Sequence, residues 1–245
     1  EHDTEQEEVL VDIASPSEIN QAILADPTAN VIHPVADIEF SLGDQDIDVT
    51  NDIWQRIRLG LTFPIDENPR LQSQRNWYVK HPTYLDRVAK RAEPFLYYIV
   101  EELEKNDIPL EIALLPIVES AFDPFAYSHG RASGMWQFVP GTGKRFGMKQ
   151  NWWYDGRRDV IASTEGAIAY LKYLHKFFDG DWLLALAAYN TGEGRVRRAM
   201  RNNARKNKPT DFWSLDLPKE TRAYVPKLLA LADIVKRPDE FGIKL

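Results

Sequence analysis

Leu114-Leu115-Pro116-Ile117-Val118-Glu119-Ser120-Ala121-Phe122-Asp123-Pro124 sets one carboxylate at the end of an apolar, helix-like run, just ahead of a turn. A helix C-terminus carries partial negative charge, which disfavours a further negative charge beside it. Apolar neighbours disfavour ionisation again, because a carboxylate loses its hydration on burial. A glutamate is usually a solvated surface charge. Here Leu114, Leu115, Ile117, Val118, Ala121 and Phe122 leave Glu119 little polar face to share with water. The stretch predicts a buried helix end holding a carboxylic acid that keeps its proton near neutral pH, the state a general acid needs. Asp123, four residues on, reads as the residue that opens the turn before Pro124. Paired carboxylates that flank a glycosidic bond stand roughly 5–9.5 Å apart on opposite sides of it, and two groups joined by one tight turn are poorly placed for that.

Outward from this stretch the pattern is helical. Asp107 is expected to cap the helix that reaches Ser120, with Pro109 in its first turn. Before it, Tyr84–Lys105 sets Leu85, Val88, Ala92, Phe95, Leu96, Ile99 and Leu103 on one stripe, and Pro94 inside it predicts a kink or a break. Asp52 is a good N-cap for a short helix over 53–59, which Phe63–Pro69 interrupts. Downstream, residues 121–158 are rich in Gly and Pro and predict an irregular lobe with a few short strands. Asp159 or Ser163 caps a helix ending near Phe178, with Gly180 as its stop. Trp182–Asn190 is almost wholly apolar and should be a buried helix. Glu220–Val235, after Pro218, is amphipathic. Residues 1–50 are acidic and rich in turn formers, with a short helix expected at Ser17–Leu24. The expected fold class is therefore mainly α, α+β with a minor sheet. A single catalytic domain over 76–245 carries an N-terminal extension, residues 1–75, partly irregular and docking through Trp54 and Trp77.

Composition narrows the function classes. At 245 residues and 44% hydrophobic content the chain can bury one large core. A formal net charge of -7 argues against a nucleic-acid partner, which needs a basic surface. With no cysteine there are no disulfides and no thiolate ligands. His2, His33, His81, His129 and His175 show no metal-ligand spacing, so neither a metal nor a cofactor is expected. No apolar run approaches the ~20 residues that span a bilayer. The sequence has neither an initiator Met nor a signal-like segment, and reads as a mature fragment whose anchor, if it has one, lies outside it.

Three further tracts can carry chemistry. In Gly130–Gly143 the glycines allow close backbone approach to a ligand, and Gln137 offers both donor and acceptor. Trp136 and Phe138 could stack on that ligand, although each taken singly is more often core. The glycine spacing does not match a phosphate loop. Ala187-Ala188-Tyr189-Asn190-Thr191-Gly192 is either an ordinary helix end or a place where Tyr189 and Asn190 reach from a buried helix into a cleft. Glu220-Thr221-Arg222-Ala223-Tyr224-Val225 alone looks like a plain helix start. The run Arg195, Arg197, Arg198, Arg201, Arg205, Lys206 and Lys208 is most simply a solvated helix face.

Taken together and in order, Glu119-Ser120, Gly134-Met135-Trp136-Gln137-Phe138, Ala188-Tyr189-Asn190-Thr191-Gly192 and Glu220-Thr221-Arg222-Ala223-Tyr224-Val225 resemble the motifs of soluble-lytic-transglycosylase-type domains, whose fold is similar to goose-type lysozyme. Asn151-Trp152-Trp153-Tyr154-Asp155 with Arg157-Arg158-Asp159 and Ser163-Thr164-Glu165 is similar to a membrane-bound subtype of that family. The resemblance covers roughly residues 75–237. It implies a lysozyme-like domain that cleaves peptidoglycan strands between N-acetylmuramic acid and N-acetylglucosamine without water, leaving a 1,6-anhydromuramic end. By position it makes Glu119 the sole catalytic acid/base. It puts Ser128, Gln137, Tyr189 and Asn190 along the glycan cleft, and Glu220 and Tyr224 in the late motif beside it. It implies a periplasmic protein attached to the outer membrane by a lipid anchor, with LysM glycan-binding modules. Neither the lipid-modified Cys nor the modules are in this sequence. The alternatives are a goose-type muramidase that hydrolyses the same bond, a catalytically idle glycan-binding module, and a plain helical interaction domain.

Overall fold

Asp52 accepts a hydrogen bond from Trp54 N at 3.0 Å and opens α1, Ile53–Leu59. The computed structural model describes residues 52–245, so the expectations for residues 1–51, including the helix at Ser17–Leu24, lie outside the described residues. Asn68 caps α2, Pro69–Lys80, through Leu71 N at 3.0 Å. Helix α3, Pro82–Lys105, follows after His81. A 3-10 turn, Leu110–Leu114, leads into α4, Leu115–Ser120. Beyond the lobe that follows come α5, Pro140–Arg145, and α6, Val160–Phe177. Then come α7, Trp182–Thr191, and α8, Glu193–Ala204. The last long helix is α9, Lys219–Lys236.

Two local expectations are corrected. Helix α3 runs through Pro94 without interruption. Pro94 sits on the exposed face, where water can satisfy the Lys90 carbonyl that lacks its intrahelical donor. Asp107 caps nothing downstream: it takes φ 54 and closes α3, its N–H donating to Glu104 O at 3.1 Å while Ile108 N donates to Leu103 O at 3.0 Å. With Pro109 ahead of it, the next segment starts as the 3-10 turn. Of the two candidate caps for α6, Asp159 is the one used, accepting from Ala162 N at 2.8 Å.

Helix α9 is the spine. It packs against α1, α2, α4, α7 and the Leu110–Leu114 turn. Val225, Leu228, Leu229, Ala230, Leu231, Ala232, Ile234 and Val235 are all buried, the pattern of a helix enclosed on most sides. Pro226 lies inside it and removes the donor for the Arg222 carbonyl. Arg70 from α2 supplies the replacement, Nη2 to Arg222 O at 2.8 Å. Arg58 from α1 does the same for Val235 O near the other end, at 2.8 Å. Residues 53–80 thus share the main core, and α2 crosses position 75.

The lobe between α4 and α6 has little regular structure. Among the described residues, strand pairing amounts to the isolated bridges Tyr127–Ser133, Ser133–Phe138 and Gln150–Asp155. The half-open framework is held from inside by Arg157, which is buried. Its Nη1 donates to Arg131 O at 2.6 Å and Phe138 O at 3.0 Å, and its Nη2 pairs with Asp155 at 2.7 Å. Gly134, at φ +82, lies so close to the Arg157 carbonyl that a Cβ there would stand 1.7 Å from the oxygen.

Candidate active site

Glu119 is the fifth residue of α4, a helix of six residues that are all buried. Its C-terminus is closed by two non-glycine residues in the left-handed region, Ala121 (φ 51) and Phe122 (φ 60). Their N–H groups return to Ile117 O at 3.2 Å and Pro116 O at 3.0 Å. Such backbone costs about 1 kcal/mol per residue or more, and it is concentrated at functional sites. Arg91 from α3 donates to the Ala121 carbonyl at 3.2 Å. Ser120 Oγ donates to Met135 O at 2.9 Å and ties this helix end to the lobe. Glu119 is therefore fixed in place before anything binds.

Its carboxyl is 5% exposed and faces a groove of about 440 Å³. Burial pushes its pKa up to about 8. Tyr224 Oη, donating to Glu119 Oε1, pulls the other way; the charge of Glu220 raises the value and that of Lys227 lowers it. Desolvation outweighs the rest, so Glu119 carries its proton at neutral pH. The helix-end charge proposed from the sequence is not among these causes; the apolar surroundings are enough.

Ser128, Gln137, Tyr189, Asn190 and Glu220 all line the same groove as Glu119. Tyr224 does not line it, and is buried behind Glu119, where it holds Oε1. Gln137, at φ 51, donates through Nε2 to Gly134 O at 2.8 Å and Ala126 O at 3.3 Å. Its Oε1 is buried without a partner. Tyr189 Oη donates to Trp136 O at 2.7 Å. Asn190 is held from α9: Thr221 Oγ1 donates to its Oδ1 at 2.7 Å, and its Nδ2 lies 3.4 Å from Glu220 Oε1. Ser128 Oγ accepts from Ala132 N at 3.1 Å. Asp123 stays apart as a turn residue, its Oδ1 accepting from Phe125 N at 2.9 Å. Trp136 is core, with Nε1 donating to Thr164 Oγ1 at 3.1 Å, whereas Phe138 faces the groove.

A Transglycosylase SLT domain model matches residues 97–212. The membrane-bound lytic murein transglycosylase D of Escherichia coli (strain K12) is 50% identical over 194 residues, which are 79% of this chain and 43% of that protein. A putative tributyltin chloride resistance protein of Alteromonas sp. (strain M-1) is 46% identical over 162 residues, 64% of this chain and 78% of that one. The chain belongs to the transglycosylase SLT domain family. It spans less than half the length of the Escherichia coli relative. The crystal structure of the 70 kDa soluble lytic transglycosylase from Escherichia coli aligns with a TM-score of 0.50 at 22% identity, over 71% of this chain and 31% of that one, and shows a common fold.

The SLT match ends at Phe212, so α9, with Glu220, Tyr224 and Lys227, closes this SLT site from beyond the matched segment. Sequence reasoning missed Lys227, whose charge reaches both Glu119 and Glu220. It also missed Tyr170, which lines the groove, and within the Gly130–Gly143 tract it did not single out Val139 and Thr142, which line it too. Lys227 follows Tyr224 by three residues and Glu220 by seven, a helical spacing that could have revealed it. Nothing local marks Tyr170, which reads as one more residue of an amphipathic helix. No group of three or more His, Asp or Glu among the described residues could hold a metal ion.

Proposed function

We propose that this SLT domain cleaves the β-1,4 bond between N-acetylmuramic acid and N-acetylglucosamine in peptidoglycan, with Glu119 as both acid and base, and forms a 1,6-anhydromuramic end. The observation that carries the proposal is a single protonated carboxyl, raised to about 8 by burial, set in the wall of an open groove. Protonated Glu119 gives its proton to the glycosidic oxygen as the bond to the leaving sugar breaks. The positive centre at C1 of the muramyl unit is stabilised by that sugar's own acetamido carbonyl. Ionised Glu119 then takes the proton of the C6 hydroxyl, whose oxygen attacks C1 and closes the anhydro ring. The nucleophile is already part of the bound sugar, so the step gains from high effective concentration while the groove excludes water.

The other residues have supporting parts in this reading. Gln137 Oε1, buried and unpartnered, is the acceptor for an acetamido N–H. Tyr224 steadies the carboxylate in the half-reaction where Glu119 is charged. Asn190 and Ser128 line the path of the strand, with Tyr189 and Phe138 as its aromatic floor. The catalytic domain of this proposal spans 76–245, and residues 53–75 pack into its core through α1 and the first turns of α2. Its place is the periplasm, attached to the outer membrane by a lipid anchor beyond the chain, and LysM modules would lie beyond the chain as well. Among the described residues no helix is long and apolar enough to cross a membrane.

Hydrolysis is the second reading, because Glu220 lines the same groove and could hold a water. The test is mass spectrometry of products from purified peptidoglycan. Anhydro products one water lighter than the hydrolytic ones are expected; reducing ends would assign the hydrolase, and binding without products the idle module. Glu119→Gln should lower the rate at least about 100-fold with the fold intact. A near wild-type rate in that variant rejects the assignment.

A further inference from the structure

Trp152 and Trp153 are 89% and 90% exposed, side by side on the lobe and far outside the packing of the core. Fully burying a large apolar side chain is worth roughly 1.5–3 kcal/mol, and two neighbouring indoles left in water form the kind of patch that marks a binding surface. The turn that bears them is held firmly. Asn151 Oδ1 accepts from Trp153 N at 2.9 Å and Tyr154 N at 2.8 Å, and Asn151 N donates to Tyr154 O at 2.8 Å. Gly156 N donates to Lys149 O at 2.7 Å beneath it. A ligand meeting these rings finds the backbone that bears them already ordered, which lowers part of the entropic cost of binding.

The patch is joined to the groove. Together with Asn151, Tyr154, Asp155, Arg158 and Asp159, the indoles border a concavity of about 400 Å³. The guanidinium of Arg158 lies 6.0 Å from the ring centre of the half-exposed Tyr127, and its Nε donates to Ser133 Oγ at 3.1 Å. Tyr127 precedes Ser128, which lines the groove. Arg157 fastens the same turn to the groove wall through Arg131 O and Phe138 O. Arg158 thus borders the concavity of the indoles and also faces Tyr127, the residue next to groove-lining Ser128.

We propose that Trp152 and Trp153 form a second glycan-binding platform that takes a β-1,4-linked N-acetylhexosamine strand where it continues beyond the groove. It rests on the peptidoglycan reading for the identity of the strand. A pyranose ring has a face of C–H bonds that stacks on an indole and an edge of hydroxyls that needs hydrogen-bond partners. The concavity offers both kinds of contact, with Asn151, Asp155 and Arg158 around the indoles. A membrane fits less well. The site has two carboxylates against one guanidinium, and Arg157 holds Asp155 below the usual carboxylate range, so it stays ionised and repels anionic headgroups.

The experiment is co-sedimentation of the full chain with insoluble peptidoglycan, in a Glu119→Gln background so that turnover does not intervene. Trp152→Ala with Trp153→Ala should raise the apparent Kd about tenfold. Trp152→Tyr with Trp153→Tyr should keep most of the binding. Circular dichroism melting should match in all three, because the indoles are outside the core. Unchanged binding in the alanine pair overturns the proposal, as does a background protein that fails to sediment. Binding to phosphatidylglycerol–phosphatidylethanolamine vesicles that is lost in the alanine pair, with sedimentation on peptidoglycan unchanged, assigns the surface to lipid instead. Absence of products from the wild-type chain would sink the activity reading alone, since the sedimentation comparison does not use chemistry.

Discussion

Glu119 is surrounded by groups that move its proton affinity in opposite directions. Tyr224 donates to the carboxylate and lowers the pKa, so Tyr224→Phe should raise it. Glu220 opposes ionisation, so Glu220→Gln should lower it. The alkaline limb of the pH–rate profile, where the general acid loses its proton near pH 8, should shift up in the first variant and down in the second, each by roughly half a unit to one unit. Shifts of the same sign would remove Glu119 as the group being titrated. The raised pKa also has a cost in stability. Its folded value of about 8 stands above the ordinary 4.5, so the folded state holds more protons in between, and stability falls as pH rises through that window. Glu119→Gln should therefore stabilise the fold, by about 2–4 kcal/mol at pH 7 and much less near pH 4.5, measured as urea midpoints at the two pH values. A catalytic group that lowers stability where it works is a common trade-off.

At the scale of elements, Gly134→Ala is the sharpest test of how the lobe holds the groove. A methyl group there would meet the Arg157 carbonyl in a backbone conformation that L-residues disfavour. The wall carrying Ser128 and Gln137 would have to move, and Arg157 would lose its grip on Arg131 and Phe138. The variant should lose about 3 kcal/mol or more by thermal unfolding, together with most of its activity. The same lobe shows what could be read from sequence. The helices carried their own signal in apolar spacing and caps, which is why α1, α6, α7 and α9 lie close to where the pattern predicts. Glu119 was legible because its apolar neighbours adjoin it in the chain. Asp107 misled because a cap and a left-handed turn use the same residue type. Pro94 misled because an exposed position tolerates the missing bond. The irregularity of the lobe was legible in its Gly and Pro content, but its internal arrangement was not, since it is organised by Arg157 bonding across 19 and 26 residues.

At the scale of the molecule, one helix joins stability to the site. The first half of α9 carries Glu220 to the groove and brings the Tyr224 hydroxyl and the charge of Lys227 to bear on Glu119, and its last turns carry Asp233, 1% exposed. Asp233 accepts from Arg75 of α2 at 2.6 Å, and Arg237 holds its Oδ1 at 2.7 Å. Arg75 also pairs with Glu67 at 2.5 Å, so this cluster fastens residues 53–80 to the spine. Removing Asp233 leaves the half-buried Arg75 with Glu67 alone and Arg237 with Glu240 alone, and empties a buried site in the core, so Asp233→Ala should cost about 2–3 kcal/mol. The urea midpoint should fall with little change in slope if the whole domain still unfolds as one unit. Asp233 lies about 14 Å along the helix from Tyr224 at 1.5 Å per residue, and the two share no partner. Below its melting temperature the variant should therefore keep the wild-type alkaline limb. A limb that moved with Asp233→Ala would mean that α9 transmits displacement from one end to the other as a rigid rod, and that Tyr224 reaches Glu119 only while α2 holds the far end in place.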